Sequence, residues 1–221
     1  FNTWGASGLA AVWAEENTRD SIFDAFRRKE TYATSGSRIK LRFFGGYDLD
    51  ATMLEKEDLI KEAYRKGVPM GQDLAPSEGK APSFLIWAMR DKNAAPLQRV
   101  QIIKGWVEQT TGRPFEEVID VACSDGLTPD PLTNRCPDNG ALVDISDCSI
   151  SSDRGTNEIK TVWTDESFDS AVKSFYYVRV LENPSCRWST WDAVKNGTKP
   201  REDLKLTIQE RAWSSPIWYS Y

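Results

Sequence analysis

The sequence predicts an α/β strand–helix segment over residues 1–36, followed over 37–221 by a mainly β module of antiparallel, sandwich-like type. Three observations predict it. LAAVWA (9–14) is a short apolar run leading directly into the helix-like DSIFDAFRRKE (20–30). RIKLRFF (38–44) alternates apolar and basic residues with the period of a half-buried strand. Further short apolar segments follow, separated by turn residues and without an internal repeat, as in antiparallel sandwiches.

In chain order, LAAVWA reads as a buried strand, too short for a helix. Asn17 or Thr18 caps the helix that follows, with Asp20 completing a capping box from Asn17. Ile22, Phe23 and Phe26 form its apolar face, and Arg27, Arg28 and Lys29 suit the negative end of its dipole. A strand followed by a helix is half of a βαβ unit. TSGS (34–37) marks the boundary. Beyond it, the spacing predicts a strand over Arg38–Phe44 and a helix over 52–65 with Met53, Ile60, Ala63 and Tyr64 inward. Further strands are predicted over Phe84–Met89, Leu97–Val107, Pro114–Ala122, Ile159–Trp163, Ser174–Glu182 and Leu206–Ala212.

The chain has 221 residues, 40% of them hydrophobic, enough for a core that buries roughly 70% of the unfolded surface. A net charge of −5 and no basic run longer than Arg27–Lys29 argue against nucleic-acid binding. No apolar run has the length of a membrane span. The chain has no His, hence no imidazole ligand or default general base. Cys123, Cys136, Cys148 and Cys186 lack C-x-x-C spacing and read as disulfide cysteines of an oxidising compartment, with three pairings open. The sequence opens on Phe1, close to its first strand, which reads as a processed product or a piece of something longer.

Four stretches are candidate sites. Glu15 and Glu16 follow a strand, where a carboxylate can reach a ligand crevice, or else they simply favour the positive end of the helix. The loop 123–148 holds Asp125, Asp130, Asp138, Asn139, Asp144 and Asp147, oxygens for calcium or ordinary turn formers pinned by disulfides. In RWSTWD (187–192), Arg187 between aromatics is either an anion contact or a packing residue, and Ser189 lacks a base that would make it a nucleophile. Asn196-Gly197-Thr198 is a glycosylation sequon marking a surface turn.

Three long segments carry a resemblance: GLAAVWAEENTRDSIFDAFRRKETYATSGSRI (8–39), VRVLENPSCRWSTWDA (178–193) and IQERAWSSPIWY (208–219). Together they resemble the C-terminal half of a bacterial family known as domain of unknown function 3604, over essentially the whole chain. That family is similar to the PHP (polymerase and histidinol phosphatase) phosphoesterases and to carbaryl-hydrolase-type metallohydrolases, which are distorted α/β barrels with metals held by H-x-H and D-x-H motifs. Both motifs are missing here.

The resemblance therefore implies that residues 1–36 are the last strand and helix of such a barrel, with Glu15 and Glu16 at its mouth. The metal ligands would lie upstream or on a second chain. It implies a divalent metal in the full-length protein and none on this chain alone, and no catalytic residue can be carried over. Export signals in the family imply a periplasmic or secreted bacterial protein. The expected function is the C-terminal portion of a metal-dependent hydrolase of phosphate, sulfate or related small esters, inactive by itself. The alternative is a non-catalytic secreted module that binds a glycan or a partner protein. An isolated terminal strand and helix would also leave apolar surface around Leu9, Val12, Ile22 and Phe26.

Overall fold

Alternating side chains sort the strands into two sheets with a shared interior. The computed structural model describes residues 4, 5 and 7–220. In chain order the elements are β1 (Leu9–Val12), α1 (Arg19–Arg27), β2 (Thr31–Thr34), β3 (Lys40–Gly46), a 3-10 helix (Ala51–Glu55), α2 (Leu59–Lys66), β4 (Gly67–Pro69), β5 (Asp73–Leu74), β6 (Ser83–Met89) and β7 (Leu97–Val107). They continue with β8 (Pro114–Cys123), β9 (Glu158–Thr164), β10 (Ser174–Glu182), β11 (Ser185–Cys186), α3 (Trp188–Lys195), β12 (Thr207–Ile208), β13 (Arg211–Ser214) and β14 (Ile217–Tyr219).

The larger sheet has eight strands with β10 at its centre. β10 pairs antiparallel with the whole of β7 on one side; on the other it pairs with β13 and β14. β13 and β14 behave as one strand interrupted at Ser215–Pro216, because proline has no N–H for the ladder. Ser214 repairs the break by accepting the Val178 amide at 2.9 Å. The smaller sheet has four strands in the order β4-β3-β6-β9.

The sheets meet through Tyr176, Val178 and Val180 of β10 and Ile102 of β7 against Phe43, Phe84 and Ile86 of the smaller sheet. Phe84 packs on Tyr176 with ring centroids 4.4 Å apart and the planes tilted by 37°. The outer face of the smaller sheet is sealed by the helices, with Phe44 and Leu85 packing on Met53, Leu59 and Ala63. A buried polar cluster pins the interior. Lys104 Nζ lies 2.6 Å from Asp165, and the Tyr176 hydroxyl donates to the same carboxylate at 2.7 Å. Burial, more than the Asp165 charge, pushes the Tyr176 phenol well above its ordinary pKa.

Several expectations need correction. LAAVWA supplies β1, an edge strand of the larger sheet, with Leu9 42% exposed. β1 and β2 flank α1 but run antiparallel, unlike the parallel unit of an α/β barrel. β2 lies before the expected boundary at 36, yet it pairs with β13 from the far end of the chain. Residues 9–34 are thus an arm of the main sheet, because Thr31–Thr34 complete its ladder. The helix expected over 52–65 is split at Lys56–Asp58, which lets both Met53 and Leu59 reach the core. Residues 206–212 form two short strands, and RWSTWD forms most of α3. The helix cap is Thr18, which accepts the Ser21 amide at 3.3 Å. The disulfides are Cys123–Cys136 and Cys148–Cys186.

The disulfides close loops of 13 and 38 residues of separation. Replacing each pair by Ser is expected to cost about 3 and about 4 kcal/mol respectively, read by chemical denaturation. Glu182 is buried with Oε1 unbonded, and desolvation raises its carboxyl from the ordinary 4.5 to about 7. The folded state therefore keeps a proton that the unfolded chain releases. Its contribution is full below the lower value and is lost as pH rises through the upper one. From about pH 5 to about pH 8, wild type should lose up to about 3 kcal/mol relative to Glu182→Gln in parallel denaturation series.

Candidate functional site

Where α1 hands the chain to β2, charged residues from distant segments meet. Glu30 is the residue before β2, and its side chain is almost wholly buried. An isolated buried carboxylate is costly, so partners must surround it. Arg42 from β3 lies 3.2 Å from it, Arg28 from the end of α1 lies 3.7 Å away, and the Tyr64 hydroxyl of α2 donates to it. Arg42 also donates to the Tyr64 oxygen at 2.9 Å. Its guanidinium carbon sits 3.4 Å from the centre of the Trp13 ring, a close cation–π contact. Trp13 is held by its indole N–H, which donates to Leu41 O at 2.8 Å. Burial, and then the bond to Glu30, push the Tyr64 phenol up to about 12, so it stays protonated.

These residues floor a cleft of about 440 Å³ that is also lined by Glu15. Glu15 is exposed, and Arg28 is the half-exposed cation at the rim. Chemically the cleft can grip an anion through Arg28, or offer the Glu15 carboxylate to a ligand brought by another part of the protein. Beside it, β1 presents an edge, Val12 and Ile22 are half-buried, and Phe26 is 52% exposed.

The structure brings only Glu15 of the expected trio into this cleft. Glu16 is exposed, and its amide donates to Ser21 Oγ at 3.2 Å. Arg187 precedes α3 and is held elsewhere: its guanidinium donates to Ser189 Oγ and to Trp4 O. The acidic loop consists of turns. Asp130, Asp138, Asp144 and Asp147 each accept a backbone amide two residues ahead. Asp125 accepts the Gly155 amide and the Asn139 side chain. Among the described residues, no group of three or more His, Cys, Asp or Glu is arranged to hold a metal ion. Asn196 sits at the C-terminal cap of α3.

Sequence reasoning missed Glu30, Arg42 and Tyr64. Arg42 carried a signal only as the polar side of an alternating strand. Removing it strips the buried Glu30 of its nearer cation, so Arg42→Ala should cost about 3 kcal/mol, whereas Arg28→Ala at the rim should cost no more than about 1 kcal/mol. Urea denaturation of the two variants checks the ordering.

No helix of the described residues is long and apolar enough to cross a membrane. No curated protein matches the chain, and no solved structure matches it. A family model does match, over residues 1–221, and the chain belongs to that family, described as Protein of unknown function (DUF3604).

Proposed function

We propose that this chain is the C-terminal part of an exported metal-dependent hydrolase of phosphate, sulfate or related small esters. In this reading the His ligands lie on the upstream half of the protein or on a second chain, in a PHP-like barrel. The supporting observation is one juxtaposition: on a chain without His, the Glu15–Arg28 cleft adjoins the open edge of β1 and the bare Phe26 of α1. An upstream domain docked on that edge would bring its metal to the cleft. The metal would polarise the ester and activate a water. Arg28 would bind the anionic group of the substrate, and Glu15 would orient the water. The two disulfides agree with an oxidising compartment, periplasmic or extracellular.

The chain alone should show no metal-dependent turnover of aryl phosphates or sulfates. The same chain joined to its upstream half, or mixed with it, should turn them over. In that assembly Glu15→Gln should lower kcat about a hundredfold, as expected when a group acting on the reacting water is lost. Turnover by the chain alone, or an assembly indifferent to Glu15→Gln and Arg28→Ala, would refute the proposal.

A second reading, a glycan-binding module, rests on a different surface. Phe175 and Tyr177 of β10 lie side by side with rings 12° from parallel, and Trp218 of β14 is 45% exposed, 5.1 Å from Phe175. Such rings form a platform on the outer face of the larger sheet. A glycan array hit lost in Trp218→Ala but kept in Glu15→Gln would favour this reading over the hydrolase.

A further inference from the structure

We infer that a second cleft, at the other end of the larger sheet, binds a tetrahedral oxyanion, the sulfate or phosphate group of a small ligand. The cleft has a volume of about 630 Å³. Arg99, Lys205 and Arg211 line it, against the single carboxylate of Asp138. This local excess of positive charge stands on a chain whose net charge is −5.

The cations are poorly satisfied by the protein. Arg99 Nε is buried without a hydrogen-bond acceptor, 3.8 Å from Asp120. Asp120 is a shared partner, ion-paired with Arg99 at 3.8 Å and with Arg135 at 3.5 Å while its oxygens also accept from Gln101 at 2.6 Å and from the Cys136 amide at 2.8 Å. Among the described residues, the Arg211 guanidinium donates one hydrogen bond, from Nε to Gln209 O at 3.1 Å, and lies 5.9 Å from the Trp213 ring, which leaves its terminal amino groups with donors to spare. Among the described residues, the Lys205 ammonium has no ion-pair partner. Two guanidinium groups and an ammonium lining one space are the donors that an oxyanion with several acceptor oxygens requires.

The walls are rigid. Gln209 donates to Gln98 Oε1 at 2.9 Å, and Gln98 donates to Asn139 Oδ1 at 3.0 Å. Cys136 lines the cleft and is bonded to Cys123, the ladder partner of Arg99. The opposite wall, Thr207 and Ile208 of β12, is paired with β11, whose Cys186 is bonded to Cys148. Both disulfides thus brace the site. The inference does not rest on the hydrolase reading. Glu30 adjoins the Thr31 end of β2, whereas Ala212, next to Arg211, pairs with Thr34 at the other end.

The test is calorimetric titration of the whole chain with inorganic sulfate and with inorganic phosphate, at constant ionic strength set by chloride. Saturable binding at one site is expected. Arg211→Gln and Lys205→Gln should each weaken it about tenfold, the loss of one charge-assisted contact. Lys205→Gln touches no structural partner, so its far-UV circular dichroism and Tm should match wild type. Tighter binding of one anion tells which of the two groups the ligand carries. Failure of both anions to bind, or binding that survives both substitutions unchanged, overturns the site. Because Arg28→Ala leaves this cleft intact, loss of binding in that variant would also overturn it.

Discussion

The fold depends on a buried charge being satisfied. Asp165 is completely buried in the connection from β9 to β10, which is tolerable because the Lys104 ammonium and the Tyr176 hydroxyl engage one carboxylate oxygen while the Ser167 amide and hydroxyl donate to the other. β9 belongs to the smaller sheet, whereas Lys104 and Tyr176 face each other in the ladder of the larger. One carboxylate therefore fixes how the sheets are set against each other. A slip of one residue in β10 would turn Tyr176 outward and strip the buried Asp165 of one of its donors. The same slip would remove the ring that Phe84 packs against. Polar specificity and aromatic packing thus select the same register.

Once β10 is fixed, its neighbours follow. β7 and the broken strand β13–β14 have their places set by the ladder, and β2 and β1 extend it outward. The N-terminal arm is therefore carried by the C-terminal strands, and the Glu30 cluster forms where that arm leans on β3. Gly105 shows how tightly the outer face is drawn. A methyl group there would collide with the Phe175 ring, so the ring lies flat over bare backbone. Glycine is required by that close approach, and the ring in turn covers backbone that glycine leaves exposed.

Much of the strand pattern was legible because period-two alternation is local. Arg38–Phe44, the segment that alternation marks, supplies most of β3, and the cap at Thr18 and the basic end of α1 obey short-range rules. Burial of LAAVWA was misread because an apolar run says that a strand exists, not whether it ends a sheet. The break at Lys56–Asp58 answers to the core beneath it, which spacing alone does not reveal. The site was least legible. Trp13, Glu30, Arg42 and Tyr64 meet only through tertiary pairing, and each alone reads as an ordinary surface or helix residue. Glu15 was visible because it directly follows a strand, whereas Arg187 was drawn to α3 and away from Glu15.

The two disulfides also partition the long excursion between β8 and β9 for any protease that reaches it. Leu132 is 92% exposed but lies inside the ring closed by Cys123 and Cys136, so a cut there leaves one covalent molecule. Leu142 is 74% exposed and lies in the stretch 137–147, outside both rings. A cut there yields two polypeptides, divided between β8 and β9 and joined only by hydrogen bonds and packing. Since β10 from the second piece pairs with β7 from the first along its whole length, the nicked pair would remain associated as a non-covalent heterodimer. Denaturing electrophoresis would then count two chains where the folded particle is still one.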